Sequence, residues 1–177
     1  EVEFYSQTNI ENPYFSIQLD EYPIRNIIPL SIELILCSTD KPALYILTKS
    51  KTQMNIYDKK EKIETNNKIF KQINKMLMLL NDNIIIGDNK FISLWNIKGK
   101  KIQLIKQIKI GFPVMDILYL KDNTVVCAIP NKQSLIFIDT DKMVQKYEIN
   151  DIKFLPELNT NNLMCKLTKD MLLIGGC

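Results

Sequence analysis

Four short apolar runs recur at a nearly constant spacing, and this repeat constrains the fold more than any other feature of the sequence. The runs are residues 44–48, 83–87, 124–128 and 171–175. Their central residues are Ile46, Ile85, Val126 and Leu173. Successive centres lie 39, 41 and 47 residues apart. Each run is almost continuously apolar, which is typical of a strand buried on both faces. A period of about 40 residues therefore predicts a chain of repeated β units.

The surroundings of each run repeat as well. An apolar segment comes before it, at residues 32–37, 73–80, 114–120 and 163–167, and polar Asn or Asp residues mark the turn between the two. An alternating segment comes after it, at residues 54–58, 92–96 and 135–139, followed by a more polar one that is clearest at 101–110 and 144–149. Asn and Asp favour hairpin turns. The sequence therefore predicts an all-β fold with four antiparallel strands per unit, a β-propeller or partial propeller of about four blades.

The predicted organisation is a single propeller domain, or a fragment of one, over residues 1–177. Its units are residues 26–65, 66–110 and 111–150, with the start of another at 151–177. Residues 1–25 are candidates for the outer strands of a closing blade, which would complete a small four-bladed ring. The favoured alternative is that another chain, or another segment of a longer chain, completes the propeller, because open sheets leave edge strands exposed.

Residues 80–96 carry the most specific motif of the chain. Trp95 and Asn96 stand where a WD-repeat unit has its Trp-Asp dipeptide, and Gly87 and Asp88 stand where it has its glycine and turn residue. The segment thus resembles the second half of a WD repeat. Looser matches are Tyr57-Asp58, Ile138-Asp139 and residues 167–176, so that the resemblance extends over residues 32–177. It implies the propeller fold and a tendency to bind other proteins.

The chain departs from that family in one chemical respect. Family members carry a Gly-His dipeptide whose histidine joins a buried hydrogen-bond network, and this sequence has no histidine. It also has only five glycines, so several turns must use Asn or Asp. We therefore carry over the fold and no functional residue of the family.

The absence of histidine also excludes most catalytic chemistry that depends on imidazole, including Ser-His and Cys-His nucleophiles. No glycine-rich phosphate-binding motif occurs. The four cysteines, Cys37, Cys127, Cys165 and Cys177, are isolated from one another, which favours reduced thiols over a zinc site. The sequence predicts no catalytic, cofactor-binding or metal-binding residue, and the chain is not expected to be an enzyme.

Charge and hydropathy limit the partners. The 23 basic residues outweigh the 20 acidic ones by only three charges, and Arg25 is the single arginine. Because arginine is the usual reader of guanine and phosphate, nucleic acid is an unlikely partner. The longest apolar stretch, residues 27–37, contains Glu33 and is shorter than a membrane span. No signal-peptide pattern or Asn-x-Ser/Thr acceptor is present, which favours the cytoplasm, with the nucleus as the alternative.

One surface is a candidate for partner binding, namely the turns predicted between the second and third strands of each unit. In a propeller such turns lie on one rim of the central channel. The candidate residues are Lys49, Lys51, Asp88, Asn89, Lys90, Asn131, Lys132 and Gln133. Lysine recurs in all three turns, which either marks a mildly basic rim for an acidic partner or reflects the abundance of lysine in the chain.

The leading functional hypothesis is a non-catalytic scaffold that mediates protein–protein interactions within a larger eukaryotic assembly. One alternative is an enzymatic or small-ligand-binding propeller whose channel site uses Asp, Glu, Lys or Tyr. Another is a subunit of a nucleoprotein complex that contacts the nucleic-acid backbone without reading bases.

Overall fold

The computed structural model describes residues 2–4, 15–17, 19, 22–40, 43–52, 57–63, 72–99, 101–154, 163–168 and 172–175. Within these ranges the regular structure consists of strands and one 3-10 turn, Pro130–Lys132. The chain divides into two compact units, Glu1–Ile69 and Phe70–Cys177, which are described separately. The described residues contain no candidate for a membrane-spanning helix.

The first unit holds two sheets. Strands β1 (Val2–Phe4) and β2 (Phe15–Ile17) pair with each other, and a four-stranded antiparallel meander follows, in the order β3-β4-β5-β6. Its strands are β3 (Ile24–Pro29), β4 (Leu34–Thr39), β5 (Leu44–Lys49) and β6 (Tyr57–Ile63). Alternate residues of β4 and β5 form one buried cluster with Leu19. The assignment of residues 1–25 to a closing blade stays a prediction.

The second unit holds two four-stranded antiparallel meanders and a strand pair. The first sheet contains β7 (Ile73–Met78), β8 (Asn83–Asp88), β9 (Phe91–Lys98) and β10 (Lys101–Lys109). The second contains β11 (Asp116–Tyr119), β12 (Thr124–Ile129), β13 (Ser134–Asp139) and β14 (Val144–Ile149). The pair is β15 (Met164–Lys166) with β16 (Leu172–Ile174). The prediction of an all-β fold with four antiparallel strands per complete sheet is confirmed.

Asn and Asp form two of the tight turns of the second unit, whereas Gly99 lies in the turn between β9 and β10. Asn81 and Asp82 connect β7 to β8, and Asp122 and Asn123 connect β11 to β12, all four with φ between 50° and 59°. Short polar side chains tolerate this left-handed conformation better than other non-glycine residues, which explains how a glycine-poor chain makes these hairpins.

The sheet β11–β14 is buried on both faces near its centre. One face places residues of β12 and β13, such as Val125 and Ile138, against Ile85, Ile92 and Leu94 of the preceding sheet. The opposite face packs Val126, Ala128, Leu135 and Phe137 against Leu163 and Met164. Two-sided burial requires the continuous apolar runs seen in the sequence.

The predicted strand order of the first unit is wrong by one strand. The repeat predicts that residues 44–48 form a second strand, but they form β5, the third strand of its sheet. Strand β3 was missed because the apolar stretch at residues 27–37 contains a turn, closed by a hydrogen bond from the Leu30 N–H to the Leu34 carbonyl at 2.9 Å. Leu36 of β4, not Ile46, therefore corresponds to Ile85. Residues 54–56 of the predicted third strand lie outside the described residues.

Candidate functional site

The turn between β8 and β9 is held rigid by Asp88, whose side chain is buried. Its Oδ1 accepts hydrogen bonds from the backbone N–H groups of Lys90 and Phe91, both at 2.6 Å. Burial raises the pKa of this carboxyl, and the two backbone donors oppose the rise. Asp88 is thus a structural residue of the turn, and its carboxylate is directed inward.

The neighbouring residues of this turn differ in exposure. The Asn89 side chain connects this turn to the start of β7. Its Oδ1 accepts a hydrogen bond from Asn74 Nδ2 at 3.0 Å, and its Nδ2 donates one to Gln72 Oε1 at 3.2 Å. Lys90 is exposed, while its carbonyl accepts from the N–H groups of Ile110 at 2.7 Å and Gly111 at 2.9 Å. The backbone is therefore fixed, and the Lys90 ammonium reaches solvent.

The connection between β12 and β13 is fixed in a similar way. It contains the turn Pro130–Lys132 followed by Gln133, which adopts a left-handed conformation at φ 53°. The Gln133 N–H donates to the Pro130 carbonyl, and the Gln133 carbonyl accepts from the Ile152 N–H, both at 2.9 Å. Asn131 and Gln133 are exposed. This turn also presents polar side chains on a rigid backbone.

Lys132 is paired within the chain. Its Nζ lies 2.7 Å from Oε1 of Glu148 on β14. This contact is the main reason that the pKa of Glu148 is lowered from its ordinary value. Much of the positive charge predicted for this turn is consequently neutralised.

The two turns of the second unit lie at the same end of adjacent sheets. The connection from β10 to β11 passes along both: the Val114 N–H donates to the Asp88 carbonyl, and the Met115 N–H donates to the Ala128 carbonyl, each at 3.0 Å. We call the surface formed by residues 88–90, 109–112 and 131–133 the basic rim. It also contains Lys109, which is exposed, and Phe112, which is 38% exposed. Neither residue is among those that the sequence predicts for this surface.

Lys49 and Lys51 do not occupy the predicted position. The sequence predicts a turn between a second and a third strand for both, but Lys49 ends β5, the third strand of its sheet, and Lys51 follows it. In an antiparallel meander the connection after the third strand lies at the opposite end from the connection after the second. The misplaced strand order explains the error, and the two lysines are not part of the basic rim.

Sequence reasoning missed a buried ionic contact between the first strands of the second unit. Lys75 Nζ on β7 lies 3.0 Å from Asp116 Oδ1 on β11. Asp116 Oδ2 accepts a hydrogen bond from the Met164 N–H of β15 at 2.8 Å. A charged residue inside an apolar strand was the available signal, because buried charges are normally paired.

An apolar groove lies between the outer part of the sheet β11–β14 and the pair β15–β16. Its volume is about 530 Å³. Apolar side chains form most of its lining, namely Leu120, Leu135, Phe137, Tyr147, Ile149, Ile152, Leu172 and Ile174. Lys121, Asp122, Thr124, Lys146 and Thr168 complete it. Within the described part of the chain, no group of three potential metal-ligating residues occurs.

No protein-family model and no curated protein matches the sequence. Solved structures do match the fold. The Neurospora crassa Pan2 WD40 domain is 13% identical with a TM-score of 0.54 over 73% of this chain and 38% of that domain. The Toxoplasma gondii coronin WD40 domain is 14% identical with a TM-score of 0.58 over 71% and 33%. The Myceliophteria thermophila Cps50 (Swd1) β-propeller domain is 12% identical with a TM-score of 0.58 over 76% and 45%.

These similarities show the fold of the chain, a WD-repeat-like β-propeller fold of about four blades, and confirm the resemblance seen around Trp95 and Asn96. The chain spans less than half the length of each of these solved domains.

Proposed function

We propose that this chain is a non-catalytic docking platform for other proteins within a larger assembly, and that the basic rim is a contact surface. The observation that carries the proposal is the contrast between fixed backbone and exposed side chains at the turns β8–β9 and β12–β13. A rigid surface loses little conformational entropy on binding, so its contacts contribute more fully to affinity.

The composition of the basic rim favours an acidic partner. Lys90 precedes β9, and Lys109 pairs in register with Phe91, the first residue of β9, so the two lysines share one end of the sheet. The Asp88 carboxylate is turned inward onto backbone N–H groups. Phe112, three residues after Lys109, adds partly exposed apolar area. A segment with acidic residues around one apolar side chain would match this arrangement.

Charge reversal at the two ends of β9 tests the proposal. Lys90→Glu alters the basic rim, whereas Lys98→Glu makes the same charge change at the other end of the same strand, also at an exposed residue. The wild-type chain and both variants are used to capture proteins from native cell extract treated with nuclease. We expect a stoichiometric protein partner with wild type and Lys98→Glu, and at least about tenfold less of it with Lys90→Glu.

Two results would overturn the proposal. One is a monomeric chain that captures no protein. The other is equal capture by all three chains, which would show that the rim is not the contact. Capture that occurs in a parallel untreated extract and is lost in the nuclease-treated one would favour the nucleoprotein alternative instead.

A further inference from the structure

A polar pocket lies in the second unit at the end opposite the basic rim. It is formed between the sheets β7–β10 and β11–β14 and has a volume of about 360 Å³. The turns β7–β8, β11–β12 and β13–β14 contribute to its lining, and in an antiparallel meander these turns lie at the other end from β8–β9 and β12–β13. All four strands of both sheets are described, so the pocket needs no further strand to complete it.

Hydrogen bonds hold the polar part of the lining in place. The Asn123 carbonyl accepts from the Thr140 N–H at 2.7 Å and from the Thr140 hydroxyl at 3.0 Å. Asn123 Nδ2 donates to Asp141 Oδ2, and Asn96 Nδ2 donates to Asn83 Oδ1 at 2.9 Å. The lining is thus arranged before a ligand enters, which lowers the entropic cost of binding.

Several polar groups of the lining nevertheless form no hydrogen bond within the described part of the chain. They are the Asn81 side-chain amide, Asn83 Nδ2, Asn123 Oδ1, Asp141 Oδ1 and the Tyr119 hydroxyl. This set includes both donors and acceptors. A ligand that fills the pocket must therefore offer acceptors and donors side by side, because a polar group that is covered without a partner weakens binding.

The charges around the pocket balance, which argues against an ionic ligand. The turns that line it carry three carboxylates, Asp82, Asp122 and Asp141, and two ammonium groups, Lys121 and Lys142. Lys106 of β10 supplies a third, because its Nζ donates to the Asp141 carbonyl at 3.4 Å. A charged ligand would meet both signs at similar range, and a neutral one would lose nothing by lacking charge.

We propose that this pocket binds a neutral saccharide, either a monosaccharide or a disaccharide. Each sugar hydroxyl donates one hydrogen bond and accepts others, which matches the mixed groups left free in the lining. The apolar part of the lining includes Leu79, Leu94 and the partly buried ring of Tyr119, against which the C–H face of a sugar ring would pack. The volume lies near the lower end of the range for small-molecule sites, as a ligand of this size requires.

Nuclear magnetic resonance of the isotope-labelled 177-residue chain tests the proposal. The probes are glucose, galactose, mannose, N-acetylglucosamine and maltose, each added in a titration. The control probe is N-acetylalanine methylamide, which carries peptide groups and no hydroxyl group. We expect at least one sugar to shift the side-chain amide signals of Asn81, Asn83 and Asn123 saturably, and the control probe to leave these signals in place.

Two adjacent residues of the β7–β8 turn provide matched variants. Asn81 lines the pocket and Asp82 does not, while both are exposed and adopt a left-handed conformation, at φ 59° and 57°. Glycine accepts this conformation without strain, so Asn81→Gly and Asp82→Gly are both expected to fold. We expect the sugar to bind at least about fivefold more weakly to Asn81→Gly and with unchanged affinity to Asp82→Gly.

The methyl glycoside of the sugar that binds distinguishes two sources of the ligand. Equal affinity for the glycoside identifies the end of a glycan chain, and lost affinity identifies a free reducing sugar. The proposal is overturned if no sugar gives a saturable shift, if the control probe shifts the same signals, or if Asn81→Gly binds as tightly as wild type. Partner capture at the basic rim is measured separately with Lys90→Glu, so either proposal can fail without the other.

Discussion

Lys75 Nζ lies 3.0 Å from Asp116 Oδ1, so the first strands of two adjacent sheets are joined by an ion pair. The other Asp116 oxygen accepts the Met164 N–H from a third sheet. β11 packs against both β7 and β15, and the Asp116 carboxylate therefore connects three sheets of the second unit. In this histidine-free chain a carboxylate provides polar contacts between these sheets, beside their apolar core.

Replacing Asp116 with alanine is expected to lower the free energy of unfolding by about 3 kcal/mol, because the change removes the carboxylate that forms an ion pair with a mostly buried lysine. Urea unfolding followed by tryptophan fluorescence measures the effect, since Trp95 is buried in the same unit. Asp82→Asn is the control: Asp82 lies exposed in a left-handed turn, where asparagine is well tolerated. Equal stability of Asp116→Ala and wild type would show that the contacts of Asp116 between the sheets do not stabilise the fold.

The repeat was visible in the sequence because it depends on local signals. Strands β7 and β8 combine apolar runs with an Asn-Asp turn, and each signal lies within a few residues. The order of the first unit was not visible, because Pro29 and Ser31 place a turn inside a stretch that is apolar on both sides. The Lys75–Asp116 contact could not be predicted either. Which of 22 lysines meets a given carboxylate depends on how sheets pack, and this information is not local.

The packing of Gly87 against the next sheet gives a second stability prediction. A Cβ at this position would lie 2.7 Å from Val114 Cγ1 and 3.0 Å from Ile117 Cδ1. Gly87→Ala should therefore destabilise the chain by about 2 kcal/mol through overpacking. Val114→Ala in the same chain removes Cγ1 but leaves Val114 Cβ 2.9 Å from the added methyl group, so the double variant should remain less stable than wild type.

Gly175→Ala serves as the control for Gly87→Ala. Its Cβ would meet the Leu163 carbonyl oxygen at 3.6 Å, an ordinary contact. Thermal unfolding is measured for wild type, Gly87→Ala, the double variant with Val114→Ala, and Gly175→Ala. We expect the midpoint of Gly175→Ala to lie close to that of wild type and the midpoint of Gly87→Ala to lie below both. A midpoint for Gly87→Ala equal to that for Gly175→Ala would contradict the close approach of the two sheets.

The reactivity of the cysteine thiols tests which of them are buried in each of the two units. Burial raises the pKa of Cys37 to about 12, and it also raises the pKa of Cys127, with the Asp116 charge as a second cause. Cys165 is exposed. In a Cys177→Ser background, iodoacetamide at pH 8 should modify Cys165 in the native chain and the other two only after unfolding in urea. Mass spectrometry of the peptides measures this, and rapid native modification of Cys127 would contradict the buried β12 strand.

The Lys132–Glu148 contact predicts how stability depends on pH. The Glu148 pKa lies below its ordinary value of 4.5, mainly because of the hydrogen bond from Lys132. A carboxyl with a lowered pKa in the folded state stabilises that state above the ordinary pKa, and the contribution is lost as the pH falls through the folded value.

Lys132→Met should raise the Glu148 pKa, measured by carboxyl resonance titration, whereas Lys121→Met should leave it unchanged. Because Lys132 is partly exposed, the loss of stability at pH 7 should stay below about 1 kcal/mol. An unchanged Glu148 titration in Lys132→Met would show that the lysine is free in solution, and the basic rim would then carry one more positive charge available to an acidic partner.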